Sequence, residues 1–241
     1  MILALDIGNT RLKWAAHEHG EFMREGVLAL SALHSLRAEW AALPVPSRVI
    51  GANVAGAEVQ AMIESATQQW PVTLQWVVPR SAQCGVVNHY DNPAQLGPDR
   101  WAALIAARAR VKGACVVANA GTALTVDTLS GTGEFLGGLI LPGLELMQQA
   151  LSDNTARLAQ LRGTWKIFPR NSGDAITSGA LNGASGAVQR MAQALQHAGH
   201  ASPRLLLTGG NAQALLPLLP GAEHAERLVL EGLVRLAPET S

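Results

Sequence analysis

Two turns in this chain combine residue types that bind phosphate, and a third cluster sets a carboxylate beside a guanidinium. The first turn is Asp6-Ile7-Gly8-Asn9-Thr10, continued by Arg11-Leu12-Lys13. Gly8 admits backbone conformations that other residues resist and lets a ligand come close, and Asn9 tolerates the same region. Exposed backbone N–H groups of such a turn, the Thr10 hydroxyl and the Lys13 ammonium suit a phosphate. Asp6 closes an apolar run and would hold a hydrated Mg2+ beside that phosphate. The second turn, Asn119-Ala120-Gly121-Thr122, follows the apolar run Val116-Val117-Ala118 and repeats the plan. The third cluster is Gly97-Pro98-Asp99-Arg100, preceded by Tyr90. Proline favours a first helical turn and a carboxylate complements the positive helix end, which accounts for Asp99 structurally. A carboxylate in that position, next to an arginine, equally suits a general base. Thr208-Gly209-Gly210 ends an apolar strand, where a base or ribose can lie against bare backbone or the chain can simply turn into a helix.

The intervening residues predict the elements that must hold these groups. Strand, turn and strand around Gly8 lead through the polar turn His17-Glu18-His19-Gly20 into a third strand over residues 24–30, an antiparallel meander. Leu33, Leu36 and Trp40 recur at helical spacing, so a helix is expected over 31–43 with Ser31 as its cap. Strand 49–54, helix 57–70 and strand 74–78 follow, the ribonuclease-H-like order. Residues 79–97 show few periodic apolar positions and read as a long functional loop before a helix running from Pro98 to about 112. A second meander, with strand 135–141 and Gly137-Gly138 marking close approach of backbone or ligand, leads into helix 144–161, loop 163–172 and helix 174–197. Strand 205–207 and an amphipathic helix over 226–236 complete the chain. The two turns lie 119 − 6 = 113 residues apart, close to half of the 241. This spacing predicts an α/β protein of two duplicated ribonuclease-H-like halves, 1–112 and 113–241, with a nucleotide clamped between them.

Composition narrows the function classes. Lys plus Arg equals Asp plus Glu, 18 each, so no global basic field gathers nucleic acid. Cys84 and Cys115 belong to no metal-binding spacing and read as free thiols of a reducing, cytoplasmic compartment. No apolar run reaches the roughly 20 residues of a membrane span, and no secretory signal is seen.

Taken in order, these motifs together with Gly121-Thr122-Ala123-Leu124-Thr125-Val126-Asp127 resemble the successive motifs of type III pantothenate kinase over essentially the whole chain. The resemblance implies the acetate and sugar kinase/Hsp70/actin fold and ATP-dependent phosphorylation of the primary hydroxyl of pantothenate, the first step of coenzyme A synthesis. It implies Mg2+, a monovalent cation (K+ or ammonium) and a homodimer. The residues Asp6, Ile7, Gly8, Asn9, Thr10, Arg11, Leu12 and Lys13 match the first phosphate motif, and Gly121 and Thr122 the second. Gly209 and Gly210 match the adenosine segment. Asp99 matches the base, and Gly97, Pro98, Arg100 and Tyr90 match positions around pantothenate. Asn119 stands where the family usually has an aspartate supporting the monovalent cation, so a weaker cation site is expected. Ser172 stands where the family has a threonine and keeps the hydroxyl as a substrate contact. The competing readings are a kinase of this fold for another small acid or sugar, and a nucleotide-binding regulator.

Overall fold

The computed structural model describes residues 1–154 and 163–237, so part of the expected helix 144–161 lies outside the described residues. The chain divides into two compact units, one built from residues 1–109 and the segment from Arg227 on, the other from Arg110–Glu226.

The first unit opens with β1 (Ile2–Ile7), β2 (Arg11–Glu18) and β3 (Glu21–Ala29). A 3-10 turn, Leu30–Ser35, leads into the one-turn α1 (Leu36–Glu39). β4 (Arg48–Asn53), α2 (Ala57–Thr67) and β5 (Leu74–Trp76) follow. The sheet runs β3-β2-β1-β4-β5, antiparallel through the meander and parallel from β1 to β5. Leu3, Leu5 and Ile7 on β1 and Leu12 and Trp14 on β2 face a core that Leu36, Trp40, Ile63 and Trp70 complete. Trp40 meets Trp14 edge-on at 6.4 Å and stacks on Trp70 at 5.6 Å.

Leu33, Leu36 and Trp40 are buried, as their spacing requires, but the expected helix over 31–43 shrinks to a single α-turn. The preceding segment is 3-10, Ala29 rather than Ser31 stands at its start, and the Ser35 hydroxyl donates to the Ala32 carbonyl at 2.8 Å. Pro44 and Pro46 stop any extension.

The expected loop 79–97 contains two short strands, β6 (Ala82–Gln83) and β7 (Val86–Asn88), which pair antiparallel, and a 3-10 turn, Pro93–Gln95. Strands of two and three residues are too short to show alternation, and Cys84 and Gly85 turn between them at positive φ. Then comes α3 (Pro98–Arg110), buried from Arg100 to Ala107. Four alanines from Ala102 to Ala107 keep the buried stretch slim.

The second unit repeats the sheet plan. β8 (Cys115–Ala120), β9 (Ala123–Leu129) and β10 (Glu134–Pro142) form the meander, and α4 (Leu144–Asn154) and α5 (Ser172–His197) follow. After these come β11 (Arg204–Thr208), α6 (Ala212–Leu215) and β12 (Glu223–His224). The order β10-β9-β8-β11-β12, antiparallel then parallel, matches that of the first unit strand for strand. Val116, Ala118, Val126 and Leu207 pack under Leu181, Ala184 and Val188 of α5. Gly137 does not admit a neighbour. It takes φ +130° at a bulge of β10 and a Cβ there would meet nothing within 4 Å. Asp127 sits in mid-strand on β9 and is buried. The last helix, α7 (Leu228–Leu236), returns to the first unit and packs on β1. Gly232 lies on the Ala102 carbonyl of α3 so closely that no Cβ fits between them.

Candidate active site

The first phosphate turn joins β1 to β2 through Asn9 and Thr10, both exposed, and the Gly8 N–H donates to the Arg11 carbonyl at 3.0 Å. Neither Gly8 nor Asn9 takes the left-handed conformation expected of them. A Cβ at Gly8 would meet only the Arg11 carbonyl oxygen, at 3.6 Å, so what this glycine provides is open space above the turn. The side chains of Ile7 and Leu12 are fully buried in the core, leaving their backbone alone for any ligand. Arg11 is exposed. Lys13 pairs with Asp6 across the strands, and residues directly opposite in an antiparallel pair share a face.

Asp6 is half-buried at the end of β1. Burial, then the nearby Asp99 carboxylate, push its pKa up to about 7 against the opposing pull of Lys13. Asp99 is also raised, by burial first, while the backbone N–H of Arg100 and its guanidinium hold it down. The structure therefore brings Asp6, Lys13 and Asp99 together. A half-buried carboxylate raised by its own burial and by a neighbouring carboxylate is a donor that suits a hydrated divalent cation. Among the described residues no group of three or more His, Cys, Asp or Glu could hold a metal, so such an ion would lean on water and phosphate oxygens.

Asp99 owes its position to Gly97. Pro98 and Asp99 form the first turn of α3, and the Trp101 N–H donates to the Gly97 carbonyl at 2.9 Å. The carboxylate folds back over Gly97, where a Cβ would lie 2.5 Å from Asp99 Oδ1. Gly97→Ala should therefore displace the Asp99 carboxylate rather than unfold the unit, because the atom in the way ends a short, rotatable side chain. Its expected result is a kcat lower by about 10- to 100-fold with Tm nearly unchanged, a misplacement effect. Stopped-flow turnover and thermal scans on the same preparation check it.

Arg100 is 5% exposed, and its Nη1 donates to the Tyr90 hydroxyl at 3.1 Å, with the guanidinium 5.7 Å from the ring centroid. Sequence reasoning missed Asn88, which is buried and whose side chain bonds the Tyr90 N–H and the Pro93 carbonyl. A lone asparagine at a strand end carries no pattern that would have marked it.

In the second unit, the Gly121 N–H donates to the Ala123 carbonyl at 3.0 Å and closes the Gly121-Thr122 turn. Gly143 supports it from the start of the segment that leads into α4. The Gly143 N–H donates to the Thr122 carbonyl at 2.9 Å, and a Cβ on Gly143 would strike the Gly121 and Thr122 carbonyl oxygens. Gly209 takes φ +93°, and a Cβ there would lie 2.6 Å from Asn119 Oδ1 and from the carbonyl of Ala120. The structure thus brings Asn119, Gly121 and Gly209 together, while Gly210 opens onto space. Gly209→Ala combines a strained φ with a backbone clash and should cost about 2 kcal/mol or more of stability, read by urea unfolding. Ser172 is exposed in the first turn of α5, whose cap is Asn171, with its Oδ1 accepting from the Asp174 N–H at 2.9 Å.

Paired five-strand units of this topology, each carrying a turn after its first strand, define a class. A Sinorhizobium meliloti protein described as a 2-dehydro-3-deoxygalactonokinase superposes with a TM-score of 0.60 at 15% identity, over 98% of each chain. A Campylobacter jejuni protein assigned to the Baf family of transcriptional activators superposes with a TM-score of 0.63 at 21% identity, over 97% of this chain and 96% of its own. The fold is that of the acetate and sugar kinases, Hsp70 and actin.

Within that class the sequence is specific. Residues 2–194 match the family model for type III pantothenate kinase. A type III pantothenate kinase of Nitrosospira multiformis is 45% identical over 242 residues, covering 100% of this chain and 92% of the relative. The chain belongs to the type III pantothenate kinase family.

Proposed function

We propose that this protein transfers the γ-phosphoryl group of ATP to the primary hydroxyl of pantothenate, giving 4′-phosphopantothenate and ADP. The observation that carries this reading is the cluster of Asp99, Arg100 and Tyr90 beside Asp6. Asp99 orients the hydroxyl and takes its proton as the oxygen attacks phosphorus and the bond to the ADP oxygen breaks. A carboxylate held partly buried has the raised basicity that a proton acceptor needs. Arg100 offers a planar fork to the pantothenate carboxylate, which it can bind bidentately.

The turn from Asp6 to Lys13 and the turn of Gly121 and Thr122 hold the ATP phosphates, and Gly209 and Gly210 lie against the adenosine. Asp6 would hold a Mg2+ ion, directly or through water, and that ion would supply neutralisation of the charge on the phosphates. Asn119 contributes an amide oxygen to a monovalent cation, K+ or ammonium, without the charge of a carboxylate. Ser172 adds a hydroxyl toward pantothenate. The protein works in the cytoplasm as a homodimer, without nucleic acid or membrane. No helix among the described residues is long and apolar enough to cross a bilayer.

The test is ADP release by purified protein with ATP, Mg2+ and pantothenate, with Na+ or K+ as the sole monovalent cation. Pantothenate-dependent turnover is expected in both salts, with a smaller K+ stimulation than an aspartate would give. No turnover from folded, ATP-binding protein rejects the kinase reading.

A further inference from the structure

Tyr90 is the only tyrosine in the chain, and its position is set from outside the sequence motif that contains Arg100. It follows β7 in a segment that has no regular structure of its own. What fixes that segment is the side chain of Asn88, only 7% exposed. Its Oδ1 accepts from the Tyr90 N–H at 3.1 Å, and its Nδ2 donates to the Pro93 carbonyl at 3.2 Å. The Asn88 backbone N–H in turn donates to the Ser81 carbonyl at 2.8 Å, which fixes the main chain of Asn88 at the end of the paired strands β6 and β7. Asn92 continues the scaffold, its Oδ1 accepting from the Ala94 N–H at 3.1 Å to start the 3-10 turn that leads to Gly97. One buried amide thus spans residues 88–93 and delivers the Tyr90 hydroxyl to Arg100 Nη1 at 3.1 Å.

We propose that Asn88 is a positioning residue for substrate recognition, acting through Tyr90 on Arg100. An arginine of high entropy gains selectivity for a planar carboxylate when its fork is pre-set. Tyr90 presets it with one hydrogen bond and its ring face, and Asn88 is what keeps Tyr90 in place. The role rests on the pantothenate kinase reading, since the carboxylate that Arg100 meets is that of the substrate. Asn88 is assigned no contact with substrate or nucleotide. Losing it should therefore raise the KM for pantothenate and spare both the KM for ATP and the phosphoryl-transfer step.

The single tyrosine provides a second readout. Full-length protein grown with ring-13C tyrosine gives ring signals from Tyr90 alone. Wild type is compared with Asn88→Ala, Asn88→Ser and Asn88→Asp. Serine is too short to reach both partners. Aspartate keeps the acceptor for the Tyr90 N–H. The alanine and serine variants should raise the pantothenate KM roughly 10-fold or more, the scale of a lost buried hydrogen bond to a charged group's support. Their kcat and KM for ATP should stay within about threefold, and the Tyr90 ring signals should move toward free-tyrosine values. Asn88→Asp should recover part of both effects. If the alanine variant does not fold, the serine variant carries the comparison. A pantothenate KM within about twofold of wild type, a loss of kcat at unchanged KM, or unmoved Tyr90 signals overturn the role of Asn88. Absence of pantothenate turnover by the wild type overturns the kinase reading and this role with it, an outcome told apart by the wild-type lane alone.

Discussion

Asp99→Asn is expected to lower kcat by about 10²- to 10⁴-fold, the contribution of a positioned general base. The amide has nearly the same shape, so it still fits over Gly97 and can still accept the Arg100 backbone N–H. What it loses is the capacity to take a proton. ATP affinity, read by titration calorimetry, should stay within about threefold, because Asp99 is assigned to the hydroxyl and not to the phosphates. The pantothenate KM should change little for the same reason. A variant that keeps near-normal kcat removes Asp99 from the base role and leaves it the structural one, a carboxylate complementing the start of α3.

The second large effect is at Asp6, and it has opposite signs for activity and stability. In the folded protein this carboxyl holds its proton up to about pH 7, pushed there by burial and by Asp99. In an unfolded chain it releases the proton near 3.9. Between those values the folded state binds more protons than the unfolded state, so stability falls as pH rises through the window and stays lower above it. Asp6→Asn carries no charge to bury. Its stability should exceed that of wild type above about pH 7 by on the order of 1–4 kcal/mol, with the two curves converging near pH 4. Urea unfolding across pH without nucleotide measures this. In activity the same variant should lose about 100-fold or more of kcat/KM for Mg-ATP, through the missing charge on the divalent ion. Equal stability of both proteins at pH 8 would show that Asp6 is not held in an unfavourable charged state.

The hairpins were legible because their signal is local. An apolar run, a glycine turn and an alternating strand are contiguous from Ile2 to Trp14 and again from Cys115 to Leu129, and nothing distant is needed to read them. The core positions Leu33, Leu36 and Trp40 were readable from spacing, although that spacing is shared by 3-10 and α turns and did not fix the helix type. The 82–88 hairpin was not legible, since two or three residues cannot display a period.

The site divides the same way. Residue type marked Asp6 as a candidate for metal and left Asp99 open between a helix-start role and a base, the family resemblance turned Asp99 to the base and Arg100 to the substrate, and their motifs placed each on a strand end or helix start. Only the tertiary structure decided that Asp99 stands close enough to Asp6 to raise its proton affinity. It also decided why certain glycines are glycine. Gly8, expected to need an unusual backbone, does not, whereas Gly97 yields to a carboxylate and Gly143 to the carbonyls of the Gly121-Thr122 turn. Asn88 belongs to the same set. The sequence determines which groups are present and the local turns that carry them, because those follow from neighbouring residues. Crowding, desolvation and the two hydrogen bonds of a buried amide depend on atoms brought together from elsewhere in the chain, and no local pattern encodes them.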